Sequence, residues 1–192
     1  MNKKIILGTN NENKVREYKA ILNKYGVDVI SLKDAGINLE VEETGTTFVE
    51  NAILKAQAIY DIVKAPVIAE DGGIEIDFLG GKPGVYSHRF LGEDTPNVEK
   101  CEKILEMMEK AKEEERTARF KCTICYIDEN GETNTYEGVC EGKISHEIRA
   151  NNGFCYDLIF MYGDRTFAEM SGEEKDQISH RRRAIDKLVK NF

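Results

Sequence analysis

Long apolar runs are missing from this chain. In 192 residues none exceeds four or five, far short of the ~20 that a membrane-spanning helix needs. An excess of positive charge is missing too. Lys and Arg number 27 against 35 Asp and Glu, for a formal net charge of −8. That is the wrong sign for a protein that coats a nucleic-acid duplex. An acidic protein still binds a small polyanion where its basic groups converge locally. Proline is scarce, with three residues, and no linker, internal repeat or low-complexity segment divides the sequence, so a single domain over 1–192 is expected. Met1-Asn2-Lys3-Lys4 is basic, but the apolar stretch behind it stops at Gly8, too soon for a secretory signal. A cytoplasmic protein with reduced thiols is the expectation, and the odd count of five cysteines fits it.

What is present is the patterning of a soluble globule, 41% hydrophobic and 32% charged. Lys3 to Gly8 and Val27 to Leu32 read as strands. Between them Val15, Tyr18, Ile21, Leu22 and Tyr25 recur at helical spacing. Phe48, Ala52, Ile53, Ala56, Ile59, Tyr60 and Val63 form a second helical stripe, with an N-cap expected in Thr44 to Thr47. Pro66 to Ala69 reads as a strand that ends at Glu70-Asp71-Gly72-Gly73, and Ile74, Ile76 and Phe78 alternate beyond it. A Glu- and Lys-rich helix is expected over 97–115. Arg119 to Asp128 alternates, with Phe120, Cys122, Ile124 and Tyr126 on one face. Asn130-Gly131 signals a hairpin whose return strand runs from Glu132 to Glu141. Leu158 to Met161 is a further strand, and Ser171 opens one last helix. Helices alternating with strands, followed by a long hairpin, predict an α/β sandwich around a mixed sheet.

Five stretches hold side chains suited to chemistry. The first, Gly8-Thr9-Asn10-Asn11-Glu12-Asn13-Lys14, joins a strand to a helix, where free N–H groups and a first-turn lysine attract anions. It lacks the glycine spacing and the ending of a Walker loop, and a plain helix cap with a solvated lysine is the alternative. The second is a pair of carboxylate clusters, Glu42-Glu43 and Glu70-Asp71. A few hard oxygens suit Mg²⁺, which fills its remaining positions with water and substrate phosphate. The alternative is surface charge near a helix start, and it is weakest for Asp71, at the end of an apolar strand. The third, Gly80-Gly81-Lys82-Pro83-Gly84-Val85-Tyr86-Ser87, reads as an irregular structural wall. The fourth, Gly153-Phe154-Cys155-Tyr156-Asp157, offers aromatics and a carboxylate to a nucleobase, or else caps the following strand. The fifth places Lys175 and Ser179 on one helix face with His180 and Arg181 one turn on, which suits phosphate or a purine carbonyl; an exposed basic helix is the alternative. Cys122-Thr123-Ile124-Cys125 has metal-site spacing, but strand alternation puts its two cysteines on opposite faces, so they do not chelate together.

Taken in this order, the stretches Thr9 to Lys14, Glu42 to Phe48 with Glu50 to Ala56, Glu70 to Gly73, Gly80 to Ser87, Gly153 to Asp157 and Lys175 to Arg181 resemble the Ham1 / inosine triphosphate pyrophosphatase family. The resemblance covers nearly the whole chain. It implies a two-lobed α/β fold around an elongated mixed sheet, a homodimer, dependence on Mg²⁺, and cleavage of non-canonical purine nucleoside triphosphates (ITP, dITP, XTP) to monophosphate and pyrophosphate. By matching position it implies that Thr9, Asn11 and Lys14 hold phosphate within the loop that also contains Asn10, Glu12 and Asn13. Glu43 or its neighbour Glu42, together with Asp71, would handle the metal, and Asp71 would be the base. Phe154, Tyr156, Asp157, Lys175, His180 and Arg181 would surround nucleobase and ribose, with Cys155 in the same loop. Lys14 and Lys55 are expected to offset charge on the leaving pyrophosphate. Donors from Arg181 or the backbone would favour the 6-oxo group of inosine and xanthosine over the 6-amino group of adenosine. Three positions depart from the family pattern: Gly72 where serine is usual, Cys155 where glycine is usual, and Leu158 where proline is usual.

Overall fold

A computed structural model of the protein describes residues 3–150 and 154–192, with the backbone alone at position 191. Gly153, which the sequence places at the mouth of the aromatic loop, lies outside the described residues. The strands are β1 (Lys3–Leu7), β2 (Val27–Ser31), β3 (Val67–Ile76), β4 (Lys82–Pro83), β5 (Thr117–Ile127), β6 (Thr133–Ile144), β7 (Phe160–Tyr162) and β8 (Arg165–Thr166). The helices are α1 (Glu12–Leu22), α2 (Phe48–Val63), α3 (Asn97–Met107), α4 (Gly172–Ile178) and α5 (His180–Leu188). The strands hydrogen-bond in the order β2-β1-β3-β5-β6-β7-β8, with β4 on β3. β1 runs parallel to β2 and β3, while β3–β4, β6–β7 and β7–β8 are antiparallel. The expected α/β fold with a mixed sheet is what forms. No helix among the described residues is long and apolar enough to cross a membrane.

The chain divides into two compact units. The first holds the residues up to Asp71, Cys122–Gly138 and Arg181–Phe192. Here strand alternation sorts side chains into two cores. Ile5, Leu7, Ile68, Cys122, Ile124 and Tyr126 pack with α1 and α5 through Tyr18, Ile21, Leu22, Ala184, Ile185 and Leu188. Val67, Ala69, Cys125 and Ile127 pack with α2 through Ala52, Ala56 and Ile59. Cys122 and Cys125 thus fall on opposite faces, as the alternation requires, and all five cysteines are free thiols. α2 begins with a capping box: the Thr47 hydroxyl accepts the Glu50 N–H at 3.2 Å, and Glu50 Oε2 accepts the Thr47 N–H at 3.1 Å.

The second unit comprises Gly72–Lys121 and Val139–His180. Its core is built on Ile74, Ile76, Ile104, Phe120, Phe160 and Phe167, with Phe120 tilted against Phe160 at 4.6 Å and parallel to Phe167 at 5.8 Å.

Four boundaries differ from the sequence reading. β3 does not stop at Asp71 but continues through Gly72-Gly73 to Ile76. Gly73 is there for close approach and not for a turn, since a Cβ on it would lie 2.7 Å from the Gly84 carbonyl. The helix expected over 97–115 ends at Met107, where the buried Arg116 takes over the freed Met108 carbonyl at 3.2 Å along with those of Ile144 and Ser145. The segment Cys155–Leu158 is a 3-10 turn, and β7 begins only at Phe160. The last helix breaks at Ser179, whose ψ of 155° is extended. Ile178 packs in the core of the second unit and Ala184, Ile185 and Leu188 in that of the first, so the break falls where the apolar stripe changes its partner. Lys175 and Ser179 therefore do not continue into His180 and Arg181 along one helix face.

Candidate functional site

The first unit brings together six of the residues singled out in the sequence: Lys14, Glu43, Lys55, Glu70, Asp71 and Arg181. Alternation along β3 turns Glu70 toward α1 and α5, behind Ile68, and Asp71 toward α2, behind Ala69. On the α2 side Lys55 Nζ lies 2.6 Å from Glu43 Oε1 and 3.5 Å from Asp71 Oδ1. Asn51, four residues before Lys55 and so on the same helix face, donates through Nδ2 to Asp71 Oδ2 at 3.0 Å. Burial raises the Asp71 pKa. Lys55 and Asn51 draw it back and Glu43 pushes it further up, with a net rise. Glu43 is half-buried and meets Lys55, whereas Glu42 is exposed.

On the α1 side Glu70 is fully buried and collects four partners. Arg181 donates from Nε to Oε2 and from Nη2 to Oε1, both at 2.8 Å. Tyr18 donates to Oε2 at 2.7 Å, and Lys14 Nζ stands 3.0 Å from Oε1. The Cys122 thiol lies 3.4 Å from Oε2. Arg181 Nη1 pairs with Glu17. Lys14, Glu17 and Tyr18 recur at i, i+3 and i+4 and share one face of α1. Burial pushes the Glu70 carboxyl up, but the Arg181 and Lys14 charges outweigh it and hold the group well below the usual range. The sequence reading gave Glu70 no role of its own; the only signal was its place in a carboxylate pair ending a strand. The Arg181 guanidinium, expected to face a purine carbonyl, is held here by two carboxylates.

At the start of α1, Asn11 is the N-cap. Its Oδ1 accepts the Asn13 and Lys14 N–H groups at 3.0 and 3.3 Å, and Thr9 Oγ1 accepts the Asn11 N–H at 3.1 Å. Asn10, Glu12 and Asn13 are exposed. Beside this loop opens a cavity of about 880 Å³ lined by Asn10, Glu12, Arg16, Lys19 and Lys33 among others. It does not include Lys14 or Asp71.

In the second unit the aromatic loop sorts into one open ring and one closed one. Phe154 is 41% exposed, while Tyr156 is buried and its hydroxyl donates to the Ser87 carbonyl at 2.8 Å. Burial pushes the Tyr156 hydroxyl pKa up. The buried Asp157 pairs with Lys175 at 2.5 Å. The buried His180 stacks on Phe120 at 4.9 Å. Cys155 has a φ of 53°, a left-handed conformation unusual for a side chain with a Cβ, and its carbonyl accepts the Cys101 thiol at 3.6 Å. Gly72, where the family usually has serine, lies within β3 and presents no side chain to a ligand.

These features define a class: an α/β protein in which lysines from two helices, and a half-buried acid from the segment before the second of them, converge on adjacent acidic residues of one strand. Within that class the chain belongs to the Ham1 family, whose model matches residues 5–191. It is 47% identical to a dITP/XTP pyrophosphatase of Bacillus licheniformis over 97% of this chain and 96% of that one. It is likewise 47% identical to a dITP/XTP pyrophosphatase of Bacillus subtilis, over 98% and 96%. Among solved structures, a HAM1 protein from Coxiella burnetii superposes with a TM-score of 0.89 at 37% identity, covering 98% of each chain. The Ham1 protein of Staphylococcus aureus gives 0.87 at 38%, covering 98% and 97%.

Proposed function

We propose that this protein hydrolyses non-canonical purine nucleoside triphosphates (ITP, dITP and XTP) to the monophosphate and pyrophosphate, using Mg²⁺. The observation that carries the proposal is Lys55 set between Glu43 and Asp71, next to the Lys14–Glu70 pair. Near full-length relatives named dITP/XTP pyrophosphatases support the hydrolase reading.

The donor set fits a magnesium ion. No cluster of three His, Cys, Asp or Glu occurs among the described residues, but Mg²⁺ takes only one or two carboxylates and leaves the rest to water and phosphate. The Lys55 ammonium already finds its place between Glu43 and Asp71, so both carboxylates face a common cation position. Glu43 and Asp71 would hold the ion, and exposed Glu42 would not. When bound, it neutralises triphosphate oxygens and acidifies water. Asp71 would be the general base that takes a proton from the attacking water. Lys14 and Lys55 supply charge for the leaving pyrophosphate. Thr9 and Asn11 keep the start of α1 in shape for phosphate. The exposed Phe154 ring would stack on the purine, and Asp157, Lys175 and His180 are the further residues proposed to recognise the nucleobase and ribose. A homodimer in the cytoplasm completes it, and light scattering tests the dimer.

The deciding experiment is a panel of nucleoside triphosphates with a pyrophosphate readout, with Mg²⁺ and with chelator. Release from ITP, dITP and XTP far above ATP and GTP, abolished by chelator, is expected. Equal turnover of ATP, or none of any triphosphate, rejects the proposal.

A further inference from the structure

Asn51 is fully buried in the first turn of α2, and its two polar atoms reach in two directions. Nδ2 donates to Asp71 Oδ2 at 3.0 Å, and Oδ1 accepts the Gly45 N–H at 2.8 Å. A backbone N–H only donates and an ionised carboxylate only accepts, so the partners themselves force the orientation of the amide. Gly45 follows Glu43 by two residues. A Cβ on Gly45 would lie 2.6 Å from Asn51 Oδ1 and 3.0 Å from Asn51 N, so glycine lets the backbone come this close. Gly45, Asn51 and Asp71 all lie in the first unit.

We propose that Asn51 is a positioning residue for Asp71 and for the segment carrying Glu43. It fixes the Asp71 carboxylate through Oδ2 and so turns Oδ1 toward Lys55. It also ties the backbone next to Glu43 to that same carboxylate. The two acids are remote in sequence, and one amide sets the spacing between them. The amide carries its donor and its acceptor on separate atoms, so it reaches both partners at once, which a single hydroxyl of similar size does not. Aspartate would add a third acid, and leucine would satisfy neither partner. The inference rests on the function proposed above for Asp71.

Three variants separate its parts. Asn51→Asp keeps an acceptor for Gly45 but loses the donor to Asp71. Asn51→Leu loses both. Gly45→Ala leaves Asn51 intact and wedges the segment away. Each is expected to lower kcat for pyrophosphate release from ITP about 100-fold, the effect of a misplaced reacting group, with KM changed less than about threefold. A purely structural role would lower Tm and spare kcat, and that result in the folded variants overturns the proposal. Crystal structures of wild type and Asn51→Asp give a readout independent of turnover. The Asp71 carboxylate rotated away from Lys55 in the variant supports the proposal; an unmoved carboxylate overturns it. Should wild type release no pyrophosphate from any triphosphate, the functional reading falls, and the crystallographic comparison alone decides the positioning claim.

Discussion

Arg181 grips Glu70 through two parallel hydrogen bonds, both 2.8 Å long, and neither residue is more than 8% exposed. Removing Glu70 leaves the buried Arg181 charge with Glu17 alone. Glu70→Ala is therefore expected to lose about 3–5 kcal/mol in urea unfolding. Replacing both, as Glu70→Leu with Arg181→Met, is expected to recover only part of that loss, because the desolvation cost disappears along with the attraction but Tyr18, Lys14 and Glu17 lose their partners. A double variant as unstable as the single one would show that the pair contributes more than charge balance.

The same carboxylate makes stability depend on pH. The Glu70 pKa is held well below its ordinary value in the folded protein, burial pushing it up and Arg181 and Lys14 more than compensating. A depressed carboxylate binds its proton more readily in the unfolded chain. Its contribution is thus fully present above the unfolded value, about 4.3, and is lost as pH falls below it toward the folded value. Urea midpoints measured from pH 7 downward should fall more steeply below about pH 4.3 in wild type than in Glu70→Gln. Parallel curves would remove Glu70 from the acid response.

Turnover should depend on the other acid. Asp71→Asn keeps the shape of the side chain but removes its basicity, so it is expected to cut kcat by at least about 100-fold while leaving the unfolding transition near wild type. Lys55→Met should lower kcat/KM by a similar factor, since a positive charge proposed to stabilise the leaving pyrophosphate is lost. Wild-type turnover in Asp71→Asn would take that residue out of the proton-transfer role.

How much of this was legible in the sequence varies with the physical cause. Alternation alone separated Cys122 from Cys125, and the segment Thr44 to Thr47 announced the start of α2, because those signals are local. Glu70 was not legible as the centre of a network, since Arg181 and Tyr18 reach it from helices far apart in the chain. The break at Ser179 was hidden for a related reason: periodicity shows an apolar stripe but not which core receives it. Gly72-Gly73 read as the end of a strand, yet the backbone stays extended there. The demand on Gly73 comes from the Gly84 carbonyl and Ser87, contacts invisible to a one-dimensional pattern. Asn51 sat within a matched stretch and carried no chemical signal, because an asparagine near a helix start is common.

Cys155 tests the one departure from the family pattern that the backbone itself registers. Its φ of 53° is a conformation glycine adopts freely and a residue with a Cβ enters at a cost of about 1–2 kcal/mol. The Cys101 thiol bonds to the Cys155 carbonyl, and that contact survives any side-chain change. Cys155→Gly should relieve the strain while gaining freedom in the unfolded chain, leaving stability within about 1 kcal/mol of wild type. Cys155→Val, branched at Cβ, should fall below the glycine variant by about 2 kcal/mol. Urea unfolding of the two variants side by side measures the difference. Equal stabilities would mean that the loop relaxes out of the left-handed region at no cost.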